Sequence, residues 1–177
     1  APGYATAIAM FDALDATSPL EPHIRSELVG IHIEYSWVLG SLGKREDVDK
    51  HIRRSIQIAE DLVKDFPQDL CYGLLLANAR ISLFGRIGNA RPDEMEKMLT
   101  RNLVLINGLK ALDLPKEVEQ NPRRKLILMN ESRIIGATYT SLGHLSATQG
   151  RKTEAEQNFG EALKHMEKGA LEHPHAH

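Results

Sequence analysis

The chain has little of what most site chemistries require. Its 177 residues contain one cysteine, Cys71, so no intrachain disulfide can form. Cys71 opens an apolar run and reads as a small buried hydrophobe. Aromatic residues make up only 5%, with a single tryptophan, Trp37, so any aromatic anchor on the surface has one obvious candidate. No apolar run approaches the roughly 20 residues of a membrane-spanning helix. The formal net charge is −2, and the basic pairs in "IRRS" and "PRRK" are too sparse to draw nucleic acid or an acidic membrane. The first residues, "APGYATAIAMFDALDATSP", lack the basic start of a secretory signal. The expectation is a cytoplasmic chain with neither a nucleic-acid nor a membrane partner.

Catalytic signatures are equally scarce. The eight histidines include no H-E-x-x-H, and Glu-x-x-His occurs only once, Glu172 to His175 across Pro174, where the helical di-iron arrangement needs two. "GSLGKR" shares the end of a phosphate-binding loop, but the early glycine is missing and Arg45 stands where Ser or Thr would hold magnesium. There is no G-x-S-x-G, and Cys71 in an apolar helix has no recognisable base. "HPHAH", residues 173–177, reads as a tail, and the glycosylation triplet "NES" at Asn130 as mid-helix. The chain is therefore expected to be no enzyme, with no catalytic residue, no metal ligand and no cofactor.

What the sequence does have is repetition. Setting Gly43 against Gly150 places Lys44 on Arg151, Val48 on Ala155, Ile52 on Phe159 and Ile56 on Leu163, and finally Pro67 on Pro174. A third unit lies between, closed by Pro115. Each unit reads as helix, glycine-bearing turn, helix, proline. In the first helices, Ile24, Leu28, Ile31, Tyr35, Val38 and Leu42 form one apolar stripe, as do Leu70, Leu74, Ala77, Ile81 and Phe84. Pro22, Pro92 and Pro122 sit near helix starts, where a missing N–H costs nothing, and Asp93 and Glu94 suit the positive end of a helix dipole. No convincing β alternation occurs. The fold class is all-α. Residues 1–20 read as an N-terminal helix from, or capping, a preceding repeat, with Ile8, Phe11 and Leu14 at helical spacing. Residues 21–67 form a first unit, 68–115 a second with a longer turn, and 116–177 a third with a short tail.

These residues resemble tetratricopeptide repeats. The last unit carries the pattern best, with Leu142-Gly143 in its first helix, Gly150 at the turn, and Ala155, Phe159 and Ala162 in its second. The resemblance implies that the helices cross closely where Gly143 faces Ala155. In the first unit Ser36 and Val48 hold the small-residue positions. Units of about 50 residues exceed the roughly 34 of the standard repeat, so the helices are lengthened. The implied architecture is a right-handed superhelix of antiparallel helical hairpins. "AEDLVKDFP" is also similar to repeat tails that follow Ser/Thr protein kinase domains in some bacteria. The Gly-rich loop, H-R-D and D-F-G of a kinase are absent, so the chain would be a non-catalytic tail of such a parent.

In tetratricopeptide arrays the fifth, ninth and thirteenth positions of each first helix line a concave groove. Counting from the turn glycines, with Gly88 for the middle unit, gives Ile33, Trp37 and Ser41, then Asn78, Ser82 and Arg86, then Thr140, His144 and Thr148. A groove lined by Trp37, Asn78, Ser82, Arg86, Thr140 and His144 offers an aromatic anchor, hydrogen-bonding groups and a fixed charge, suited to an extended or helical peptide. The alternative is that the lengthened helices close the groove, with Trp37 in the core. Two functions follow as expectations: a protein-interaction scaffold that binds a partner peptide or its own parent domains, and a self-association module forming a homodimer.

Overall fold

The computed structural model describes residues 2–17, 20–87, 90–111, 127 and 129–172, and among them every regular element is an α-helix. The middle-turn Gly88, Pro115, Pro122 and the tail from His173 lie outside the described residues. Two compact units divide at Pro67 and Gln68.

The first unit holds α1 (Pro2–Thr17), α2 (Pro22–Ser41) and α3 (Arg45–Asp65). Pro22 stands in the first turn of α2, as its fixed φ favours. At the other end Gly43 turns the chain with φ +73°. The amide of Gly43 donates to Gly40 O at 3.1 Å and that of Lys44 to Leu39 O at 3.0 Å. This double closure satisfies the last carbonyls of the helix and needs a left-handed residue, which glycine supplies without a Cβ penalty. The helix α3 then starts with Glu46 and Asp47 in its first turn and ends with Lys64 in its last, both matching the dipole. Its buried residues Val48, Ile52, Ser55, Ala59 and Leu62 recur at helical spacing. An ion pair of 2.7 Å, Arg25 to Asp65, joins the start of α2 to the end of α3.

The second unit holds α4 (Leu70–Ile87), α5 (Pro92–Lys110), α6 (Glu131–Thr148) and α7 (Lys152–Glu172). Its core joins Leu70, Leu74 and Ala77 of α4 to Ile106 and Leu109 of α5 and to Ile134 and Ile135 of α6. Each such large side chain contributes about 1.5–3 kcal/mol over its exposed state. The α6–α7 turn repeats the α2–α3 turn bond for bond. Gly150 has φ +77°, its amide donates to Ala147 O, and Arg151 N–H donates to Ser146 O at 2.8 Å.

Three expectations need correction. The buried face of α2 is built on Leu28, Val29, His32, Ile33, Ser36 and Leu39, whereas Leu42 of the expected stripe is exposed. The helix is apolar almost all round and packs against both α1 and α3, so periodicity alone singles out no face. The N-terminal helix α1 packs on α2 of this same chain, burying Ile8 and leaving Met10 and Leu14 exposed. A β-carbon on Gly143 would meet the ring of Phe159 at 2.7 Å, so Phe159, one turn beyond Ala155, is what the glycine admits. Finally, Asn130 occupies the N-cap position of α6 instead of lying mid-helix; its Oδ1 accepts from the Arg133 side chain, Nε at 2.9 Å, and caps no backbone N–H.

Candidate functional site

Trp37 is 66% exposed on α2, the one large aromatic of that helix left in water. It is not a core residue, so the closed alternative fails at this position. Ile33, one turn earlier, is buried, and Ser41, one turn later, spends its hydroxyl on Val38 O.

The other five expected groove residues belong to the second unit. On α4, Asn78 and Ser82 are half-buried and Arg86 is exposed. Ser82 Oγ donates to Asn78 O at 3.0 Å, which ties up its one proton on its own helix. On α6, Thr140 Oγ1 donates likewise to Gly136 O at 2.9 Å. His144 is exposed and meets Phe159 of α7 edge-on, with ring centroids 5.3 Å apart. The helices α4 and α6 pack on each other, so these two short polar rows share one unit, while Trp37 stands in the other. Among the described residues, Arg86 and His144 are the exposed members able to offer polar hydrogens outward.

Three polar constellations lie outside that set. Asn102 of α5 is fully buried. Its Nδ2 donates to Ala77 O at 3.3 Å and its Oδ1 accepts from Arg80 Nη1 at 3.2 Å, bridging α4 and α5. Arg151, just before α7, grips Glu96 of α5 with both terminal nitrogens, at 2.9 and 2.8 Å. The Glu96 hydrogen bond raises the guanidinium pKa above its ordinary value, and the two-pronged geometry fixes the approach of the helices.

The third is a pair of imidazoles. His32 of α2 and His51 of α3 approach Nδ1 to Nδ1 at 2.9 Å. His32 is 2% exposed, and its Nε2 is buried without a hydrogen-bond partner. Tyr35 stands edge-on to His51 at 4.8 Å, and Tyr4 of α1 stacks on Tyr35 at 5.7 Å. Tyr4 Oη donates to Glu34 at 3.1 Å, which raises the phenol pKa. Burial, and then the neighbouring His51, lower His32 to about 4. Burial and Lys50 lower His51.

Among the described residues no group of three or more His, Cys, Asp and Glu side chains gathers as a metal site, and no helix is long and apolar enough to cross a membrane. Comparison of the chain with models of known protein families, with curated proteins and with solved structures finds no match.

Proposed function

We propose that this chain is a non-catalytic protein-interaction module built from tetratricopeptide-like hairpins. It would bind a partner peptide or dock onto domains of a larger signalling protein, a bacterial Ser/Thr kinase-related parent being the reading its sequence suggests. The observation that carries this is Trp37, set in water on a helix whose adjacent Ile33, Ser36 and Leu39 are buried. Leaving an indole exposed forgoes burial that would stabilise the fold, and tryptophan is among the residue types most enriched at binding hot spots. Arg86 and His144 supply polar hydrogens that would set the register of a bound segment.

A second reading, self-association, has its own support. The last described helix carries Phe159, Leu163 and Met166, exposed by 37%, 57% and 46%, at i, i+4 and i+7 on α7. Helical arrays need polar end faces to stay monomeric, and this stripe is apolar.

The test is capture of partners by the chain beside the double variant Trp37→Ala, Arg86→Glu, with circular dichroism showing that both fold alike. A partner retained by the wild type and lost by the variant supports the module. Equal capture by both moves the interface away from these residues. A mass that rises with concentration, and falls back in Leu163→Glu, supports self-association instead.

A further inference from the structure

The His32–His51 pair is separate from the residues assigned to partner binding, and it leaves a buried ring nitrogen without a hydrogen-bond partner. Two imidazoles whose Nδ1 atoms stand 2.9 Å apart can share only one proton between them. One ring must donate and the other accept. If His32 accepted, its own N–H would fall on Nε2, a buried position with nothing to receive it. With His32 as donor, Nε2 is a bare lone pair instead, and the half-buried His51 accepts. Both rings are then neutral.

Acid has no comfortable place to enter this arrangement. A proton on His51 Nδ1 would face the proton already on His32. A proton on His32 Nε2 would put a cation in a side chain that is 2% exposed. The surrounding charges do not rescue either ring. Asp12 of α1 favours protonation of both, and Asp47 of α3 favours it for His51. Against them stand Arg54 and Lys50 of α3 and the second imidazole itself. From α2 come the ring of Tyr35 and, through Tyr4, the bonded carboxylate of Glu34. The tyrosine stack connects the pair outward to α1, because Tyr4 rests on Tyr35 and Tyr35 on His51.

We propose that His32 and His51 form an acid-released latch: neutral, they close α2 on α3 with α1 stacked over them, and protonated, they separate the hairpin and free α1. The sign follows from linkage. His32 has a folded-state value of about 4, below the 6.5 of an unfolded histidine, so the unfolded chain binds more protons. Stability from the pair is complete above pH 6.5 and is lost as pH falls from 6.5 toward 4. At pH 5 this histidine alone lowers the folding equilibrium about thirtyfold relative to pH 7.5. Most carboxylates remain ionised there, so the window isolates the imidazoles.

The experiment is amide hydrogen exchange on the full chain at pH 7.5, 6.5, 5.5 and 5.0, corrected for the intrinsic pH dependence of exchange. The expected result is loss of protection in α1, α2 and α3 by pH 5.0, ahead of any loss in α6 and α7, where burial lowers His165 of α7 in the same sense. The double variant His32→Leu, His51→Leu is expected to keep the protection of α1–α3 flat over the same range. Loss spread evenly over all helices, or none in α1–α3, overturns the latch. So does a double variant that remains equally acid-sensitive. Should that variant fail to fold, the four ring nitrogens of the wild type followed by long-range proton–nitrogen correlation decide the matter. His32 taking a second proton above pH 5.5 while α1–α3 stay protected overturns the proposal. A neutral His32, protonated on Nδ1 until α1–α3 open, bears it out.

Discussion

Asn102 of α5 and Arg80 of α4 meet across their helices, Oδ1 to Nη1 at 3.2 Å, while the other arm of the same amide holds the carbonyl of Ala77. A fully buried amide with both ends engaged fixes the register of two helices in a way leucines cannot, because sliding by one residue would strand every member. Asn102→Ala removes both contacts and leaves a cavity. We expect a loss of about 1–3 kcal/mol, read as a lower urea midpoint at unchanged slope.

The close approach of Gly143 to Phe159 makes a sharper test of packing. Gly143→Ala puts a methyl 2.7 Å from the ring, closer than real contacts allow. A cost of about 1–3 kcal/mol is expected from overpacking. Adding Phe159→Leu should recover part of it, and a double-mutant cycle in thermal denaturation measures the coupling. Strict additivity would show that the two side chains do not compete for that space.

Gly43 and Gly150 each hold a left-handed turn, with φ +73° and +77°. Replacement of either by alanine is expected to cost about 1–2 kcal/mol, since a β-carbon crowds the following carbonyl there. Alanine at the helical Gly30 or Gly108, where a β-carbon meets nothing, is expected to stabilise by up to about 1 kcal/mol. Chemical denaturation of the four variants checks both signs.

Trp37 is the sole tryptophan, so fluorescence excited on the red edge, beyond tyrosine absorption, reports on it alone. At 66% exposure its emission should be strongly quenched by iodide. Trp37→Ala is expected to shift stability by no more than about 0.5 kcal/mol, as for a surface position. A larger loss, or emission sheltered from the quencher, would remove the reason for assigning the indole to partner binding.

The helices and their turns were legible because their signals are local. Pro22 and Pro92 start α2 and α5, and Gly43 and Gly150 reverse the chain, each through its own backbone chemistry. The stripe Leu70, Leu74, Ala77 of α4 is core for the same reason. The face of α2 was not legible, because apolar residues surround it and two neighbours compete for them. Nor was the partner of Gly143, which depends on how far α7 slides along α6. The imidazole pair was hidden by its sequence separation, although Tyr35 and His51 stand at equal distances either side of Gly43 and a hairpin folds such positions together. Of the candidate groove, Trp37, Arg86 and His144 stand exposed. The hydroxyls of Ser82 and Thr140 are turned onto their own helices instead, a choice that short polar side chains make from local geometry.

The hairpins α2–α3 and α6–α7 share their turn bond for bond, yet differ inside. Where one has Ser36 and Ile52, both fully buried, the other has Gly143 and Phe159 at the corresponding places. A nascent chain with two such similar hairpins risks pairing a first helix with the wrong second helix, a recurrent error of repetitive proteins. Here the sizes act as lock and key. A phenyl ring brought against Ser36 would strike its Cβ and hydroxyl, and Ile52 brought against Gly143 would leave a void. A size mismatch of this kind would disfavour exchange of mates between the two hairpins.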